Sequence, residues 1–346
     1  MAVTITDVAK RADVGIGTVS RVVNGGTNVS ISTRNRVEVA MRELGYHPNT
    51  HARNLKRQSV ATIGFLFMSG QRQMSDPFFS TLMAGLADAA GEMNYDLHVA
   101  SCPHAEHELA TLDRLIRGNH VGGIVLTDTR LEDPRVGLLQ ERVFPYVAFG
   151  RVSAEAEPNA LPTVDIDGHA GVQQAMRHLI AQGHRRIGFI TLPVQLMCTQ
   201  DRLNGYLSAL QAADLPLHEA LVISGGLSED EGRRAAEQLM ALSSPPTAIV
   251  CCSDVLAFGA ARAIEEHGLR VGQDVALVGF DDVSLAAHAS PPLTTVRQPI
   301  YEIGREIVHM LVQRMRGAIT TSKLIEPTLI IRQSTTQWKP RPFAPI

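Results

Sequence analysis

Several things are scarce in this 346-residue chain. Aromatic residues make up 5% of it, with a single tryptophan. Four cysteines (Cys102, Cys198, Cys251 and Cys252) show no C-x-x-C pair and no metal-ligand spacing. That excludes a disulfide scaffold or zinc ribbon and fits reduced cytosolic thiols. No uninterrupted apolar run reaches the length of a membrane span, so no membrane association is expected. The N-terminus runs Met-Ala-Val-Thr-Ile-Thr-Asp straight into a helical pattern, so a signal peptide is not expected and the expected location is cytoplasmic. Catalytic patterns are missing too. Ser224-Gly225-Gly226 is no G-x-S-x-G elbow. Gly15-Ile16-Gly17 has no strand before it, as a dinucleotide loop would require. His104-Ala105-Glu106-His107 sets two imidazoles at a helix start, without the i,i+4 spacing or third ligand of a zinc enzyme. No enzyme, cofactor or metal is therefore expected.

What is present is 45% hydrophobic and 19% charged, an ordinary composition long enough for two or three domains. The net charge of −3 hides an asymmetry. Residues 1–59 carry nine basic and four acidic side chains, a balance of +5; the remainder carries 23 and 31, a balance of −8. A basic head on an acidic body suits a polyanion that touches only the head, although +5 is also compatible with an ordinary solvated surface.

The head has a pattern of its own. Val8, Ala9 and Ala12 share one side of a predicted helix over 6–12. Asp13-Val14-Gly15 reads as a tight turn, and Val19, Val22 and Val23 point inward from a second helix over 17–23. Two short helices joined this way form a helix-turn-helix, which places its second helix in the major groove. The polar face of that helix carries Thr18, Ser20, Arg21 and Asn24, donors suited to phosphates and base edges. Ser30 is a predicted cap for a third helix, whose stripe of Val37, Ala40, Met41 and Leu44 closes a small core before Gly45.

The ordered set Thr4-Ile5-Thr6-Asp7-Val8-Ala9, Gly17-Thr18-Val19-Ser20-Arg21-Val22-Val23-Asn24, Thr33-Arg34 and Leu44-Gly45-Tyr46-Pro48-Asn49 resembles the head of the lactose/galactose repressor (LacI/GalR) family. The resemblance implies DNA contacts from Thr6, Ile16, Gly17, Thr18, Ser20, Arg21, Asn24, Ser30 and Thr33. It also implies that 48–59 act as a hinge helix ordered on DNA, with Leu55 as a minor-groove wedge and Asn49 and Ala52 beside it; read blandly, the same stretch is a flexible linker. Family members often carry longer polar side chains where Ile16 and Gly17 stand. Ile16 can touch a thymine methyl and Gly17 reads nothing directly, so the operator sequence is not inferable.

Beyond residue 59, short apolar runs alternate with helical segments. Strands are predicted at 61–67, 95–100, 123–126 and 146–149, separated by helices over 79–93, 106–117 and 134–141. The alternation restarts near 161–165. It continues through helices at 168–181, 202–212, 229–242 and 255–266 and strands at 187–190, 221–223, 248–251 and 276–279. This argues for two doubly wound parallel sheets. The resemblance adds that the body is like a periplasmic sugar-binding protein, with chain crossings near 161–163, 290–294 and 321–324. The implied domains are a helix-turn-helix head at 1–47, a hinge at 48–59, a first subdomain at 60–162 plus 292–322, a second at 163–291 plus 323–338, and a tail at 339–346.

Ligands of such sheets bind beyond the carboxyl ends of the strands. Phe78 and Phe79, after Asp76, could lie against a flat ligand face or merely staple the helix start. By resemblance Arg202 forks onto ligand oxygens, and Asp76, Arg151 and Leu227 border the same cleft. Asp281 and Asp254 follow strands, where carboxylates can accept hydrogen bonds from vicinal hydroxyls; Asp254 reads equally as a helix cap. Leu196, Cys198 and Leu227 replace polar or aromatic groups of purine-binding relatives, arguing against a purine. The tail from Trp338 is proline-rich, without leucine heptads, so a homodimer is expected. The reading is a ligand-gated regulator of double-stranded, pseudo-palindromic operator DNA, most simply a repressor released by a sugar. A corepressor-dependent regulator and a solute-binding protein are the alternatives.

Overall fold

In the computed structural model the described residues are 3–23, 28–46, 60–68, 76–151 and 161–336. They fall into two units, one up to Val60 and the other from Ala61 onward.

The first unit holds α1 (Ile5–Ala12), α2 (Ile16–Val23) and α3 (Ile31–Leu44). Its core is the set that the helical period picks out: Val8, Ala9, Ala12, Val19, Val22, Val37 and Ala40 are all buried. Local chemistry fixes the helix ends. The Asp7 carboxylate accepts from the Thr4 N–H at 2.8 Å and from its hydroxyl at 2.6 Å, which holds Asp7 below the usual carboxylate pKa. Asp13 turns the chain between α1 and α2 in the left-handed region, at φ 52°.

The second unit contains two six-stranded sheets. The first is built from β1 (Thr62–Phe67), β2 (Asp96–Ser101), β3 (Gly123–Leu126), β4 (Tyr146–Phe149), β5 (Thr163–Ile166) and β11 (Lys323–Ile325). Its order is β11-β5-β4-β3-β1-β2, and every pairing is parallel. The second contains β6 (Ile187–Thr191), β7 (Val222–Ser224), β8 (Ala248–Cys251), β9 (Ala276–Asp281), β10 (Thr294–Arg297) and β12 (Thr328–Ile330), in the order β12-β10-β9-β8-β6-β7. Only β12 runs antiparallel to its neighbour. Helices α4 (Pro77–Glu92), α5 (Glu108–Arg117) and α6 (Pro134–Glu141) belong to the first sheet. Helices α7 (Gly168–Ala181), α8 (Met197–Ala212), α9 (Glu229–Met240), α10 (Asp254–Glu266) and the short α12 (Gln333–Thr336) belong to the second. The central strands are buried on both faces, which is why they read as unbroken apolar runs.

Helix α11 (Ile300–Met315) follows β10 but packs against α4, β3 and β4, back on the first sheet. Its approach to α4 is backbone on backbone. A Cβ on Gly85 would stand 2.1 Å from the Tyr301 carbonyl oxygen, and one on Gly304 would stand 2.7 Å from that of Leu82.

The chain crosses between sheets three times, each time later than the sequence reading places it. β5 pairs with β4 and β11, so the first crossing follows Ile166 rather than residue 162. β10 pairs with β9, so the second follows Arg297 rather than residue 291. β11 still pairs with β5, so the third falls at Glu326-Pro327 rather than residue 322. The predicted helix over 106–117 divides into a 3-10 turn at Ala105–His107 and α5.

Candidate nucleic-acid interface and ligand cleft

On the head, the apolar side of α2 is buried at Val19 and Val22, leaving the opposite side to solvent. Arg21 and Gly17 are exposed, Thr18 and Ser20 are half-buried, and Ile16 is 50% exposed, a large aliphatic group outside the core. Thr6 is exposed on α1. Ser30 caps α3: its hydroxyl oxygen accepts from the Thr33 N–H at 3.3 Å and its hydrogen goes to Thr33 Oγ1 at 2.9 Å. Asn24, Asn49, Ala52 and Leu55, with the rest of the expected hinge and the tail, lie outside the described residues.

In the body, a cleft of about 670 Å³, open mouth included, lies where both sheets end. Thr127, Asp128 and Thr129 line it after β3, and Phe149 and Gly150 at the end of β4. Asp165 and Ile166 close β5, Leu192 follows β6, Ser253 follows β8, Asp281 ends β9, and Gln298 follows β10. Phe78 and Phe79 enter from the start of α4, and Cys198, Asp201 and Arg202 from α8. Every lining strand contributes its carboxyl end, as this class of sheet dictates.

The walls differ in chemistry. Phe78 stacks on Phe149 at 5.8 Å with ring planes 14° apart, and Phe79 meets Phe78 edge-on. Arg202 is 6% exposed; its guanidinium lies 3.8 Å over the Phe280 ring and Nη1 donates to the Cys252 carbonyl. Its Nε is buried with no hydrogen-bond partner among the described residues. A buried donor left unmade is costly, so this N–H is available to an acceptor in the cleft. Around it stand four carboxylates, Asp128, Asp165, Asp201 and Asp281. Asp281 sits at φ 122° and accepts from Gln298 Nε2 at 2.5 Å. Burial raises Asp165 to a pKa of about 6, against the pull of Arg151. The loop after β3 is fixed from behind: Arg135, 1% exposed, donates to the Thr127 and Asp128 carbonyls and pairs with Asp133 and Glu108.

The structure therefore brings Phe78, Phe79, Arg202 and Asp281 together and places four other expected ligand residues elsewhere. Asp76 is the N-cap of α4, accepting from the Phe78 N–H at 3.0 Å. Arg151 is committed to Asp165 and Asp201 and does not line the cleft. The Leu227 N–H is held by Glu231 at 2.9 Å, and its side chain packs against the core. Asp254 does not line the cleft and is not the cap. Ser253 caps α10, while Asp254, 0% exposed, accepts from the Val283 N–H at 2.9 Å and the Thr295 hydroxyl at 2.5 Å. Burial, and then the Asp281 charge, push its pKa well up. Of the three residues argued to exclude a purine, only Cys198 lines the cleft; Leu196 is buried. Phe149, Asp128, Asp165, Asp201 and Gln298 are lining residues absent from the sequence reading, although Phe149 ends a predicted strand and Asp128 sits just past one.

Residues 4–49 match the family described as bacterial regulatory proteins, lacI family, and residues 176–335 match a periplasmic binding protein-like domain. The chain is 37% identical over 336 residues to the HTH-type transcriptional repressor CytR of Escherichia coli (strain K12), covering 96% of each. Among solved structures, a transcriptional regulator CelR–cellobiose complex is similar at TM-score 0.73 and 35% identity, over 96% of this chain and 99% of that one. The lac repressor dimer bound to operator and the anti-inducer ONPF is similar at TM-score 0.87 and 28% identity, over 97% and 99%.

Proposed function

The chain belongs to the lacI family of bacterial regulatory proteins, and on that premise we propose that it is a homodimeric repressor whose grip on pseudo-palindromic operator DNA is released by a neutral saccharide. Two copies of α2 read half-sites about one helical turn apart, through the residues from Ile16 to Arg21 and with Asn24. Residues 48–59 join the head to the body and carry Leu55 to the minor groove. The protein acts in the cytoplasm, on the nucleoid. Ligand in the cleft favours one arrangement of the two subdomains over another, and DNA affinity follows that arrangement.

The observation that carries the ligand class is the charge of the cleft. Of the four lining carboxylates, Asp165 and Asp201 are paired with Arg151, and Asp128 and Asp281 stand with Arg202, so a phosphorylated ligand still meets an excess of like charge. A neutral polyol does not. Its hydroxyls donate to Asp281 and Asp128, a ring or hydroxyl oxygen takes the open Arg202 Nε–H, and its C–H face lies on Phe78 and Phe149. The similar CelR structure that holds cellobiose supports a saccharide of one or two rings.

A thermal-shift screen of the full chain against neutral mono- and disaccharides, nucleosides and sugar phosphates tests the reading, since a ligand of the folded state raises Tm with concentration. A neutral saccharide should raise Tm and release a bound operator fragment in a gel-shift assay. Hits confined to phosphorylated compounds would sink the proposal. A saccharide that tightens DNA binding would make the protein a corepressor-dependent regulator instead.

A further inference from the structure

We infer that Arg151 is a clasp: it fastens the two subdomains of the body to each other across the mouth of the cleft, and so helps to set how far the cleft is closed. Arg151 follows β4 and Asp165 lies on β5, both of the first sheet, whereas Asp201 lies on α8 of the second. Arg151 Nε donates to Asp165 Oδ2 at 2.9 Å, its main-chain N–H reaches the same oxygen at 3.2 Å, and Nη2 donates to Asp201 Oδ2. The root of the side chain is tied as well, because the Arg151 carbonyl accepts from the Thr129 hydroxyl at 2.7 Å. Asp165 is fixed in turn by the Ile166 N–H at 2.8 Å. Arg151 and Asp165 are thus tied to each other and to the main chain of the first-sheet side, and Asp201 is their partner from the second.

Two further contacts lie beside the clasp. The Met197 N–H donates to the Thr129 carbonyl at 3.0 Å, and Arg130 forms an antiparallel bridge with Leu196. All of these join the loops after β3 and β4 to the start of α8. Three chain crossings hold the two subdomains together covalently; this edge is held by a hydrogen bond, a bridge and an ion pair. The polar contacts across this edge are few, which is what a hinged cleft requires. Asp165 and Asp201 also line the cleft, so a bound ligand touches the same carboxylates that make the clasp. The clasp goes beyond the saccharide reading and does not depend on which ligand binds.

Arg151 is 37% exposed at its side chain, Asp165 10% and Asp201 19%, so the pair is partly screened and its contribution is modest. Hydrogen–deuterium exchange on the full chain without ligand, resolved to the Met197 amide, tests it. Asp201→Asn and Arg151→Met should each accelerate exchange at Met197 by roughly two- to fivefold, with Tm of the body near that of the parent. The double variant should be no faster than either single one, because both remove the same interaction. Raising salt to about 1 M, where the screening length is about 3 Å, should accelerate the parent and leave Asp201→Asn unchanged. Unchanged exchange in the single variants would overturn the clasp. So would effects that add in the double variant, or a salt response that survives Asp201→Asn. No ligand is present, so failure of the saccharide screen leaves this result standing, and the reverse also holds.

Discussion

Asp254 offers the sharpest test of the geometry, because its position after a strand suits a ligand residue while its surroundings make it a buttress. It is 0% exposed and accepts two hydrogen bonds, from the Val283 N–H and the Thr295 hydroxyl. Those bonds hold the turn after β9, where Asp281 and Asp282 stand consecutively at φ 122° and 56°. Such conformations cost about 1–3 kcal/mol each and persist only where neighbours hold them. Asp254→Ala leaves the Val283 N–H, on a residue only 4% exposed, without its acceptor. That costs about 1–3 kcal/mol, and loss of the Thr295 bond about 1 more, so the variant should lose about 3 kcal/mol of stability. Asp254→Asn keeps an oxygen for Val283, and its amide can donate to the Thr295 oxygen. It also removes a carboxyl whose ionisation burial and Asp281 both oppose, so its cost should stay within about 1 kcal/mol. Urea unfolding of the full chain, followed by far-UV circular dichroism, reads both. An Asp254→Ala chain with the parental midpoint would refute the argument, as would an Asn variant as weak as the Ala one. A lost saccharide response with intact stability would return Asp254 to the ligand set.

Three other outcomes follow from single contacts. Burial raises Asp165 to about 6, well above the ordinary aspartate value, so the folded state holds this proton more tightly than the unfolded chain does. Its contribution is present below pH 4 and lost as pH rises through 6, up to about 3 kcal/mol; the stability of Asp165→Asn relative to the parent should therefore grow across that window in urea titrations, and a constant difference would refute it. Gly85→Val forces α4 off the Tyr301 carbonyl and should cost about 2 kcal/mol or more, read as a lower Tm; a parental Tm would mean that the helices can separate freely. Arg21→Ala, exposed on α2, should weaken operator binding by about tenfold or more and leave the saccharide-induced rise in Tm intact; the reverse pattern would misplace the DNA-reading face.

The head was legible because its helices are amphipathic with a 3.6-residue period, and a three-helix core needs no long-range information: every residue predicted inward from α1 and α2 is buried or, at Val23, half-buried. The body's alternation was legible for the same local reason. The crossings were not. β5, β10 and β11 are three or four residues each, and nothing in Thr163–Ile166 says whether it joins the sheet before it or the one after it. That is decided by pairing with β11, some 160 residues away. The same limit governs the cleft. Asp76-Pro77 carries a capping signature that could have been read as such, and Ser253 takes the cap that Asp254 was offered. Arg151 looks like a ligand residue until its carboxylates are known, and those lie 14 and 50 residues along the chain.

The strength of the clasp bears on how the ligand must act. A ligand moves a two-state equilibrium only by the difference in its affinity for the two states, and a swing from mostly open to mostly closed needs about 5 kcal/mol. A partly exposed ion pair supplies about 1 kcal/mol at most, and one flanking hydrogen bond a similar amount. The protein's own closing edge therefore biases the cleft without deciding it. The remainder has to come from contacts that exist only when both subdomains face the ligand. The candidates are divided accordingly: Phe78, Phe149 and Asp128 stand on the first subdomain, and Arg202 and Asp281 on the second. A ligand that reaches only one wall binds both states equally and gates nothing, however tightly it is held. The effector should therefore be long enough to stack on Phe78 and Phe149 while still filling the open donor of Arg202. Fragments that satisfy only one wall should raise Tm without releasing DNA, and a fragment that does both would show that the division of the contacts does not govern the response.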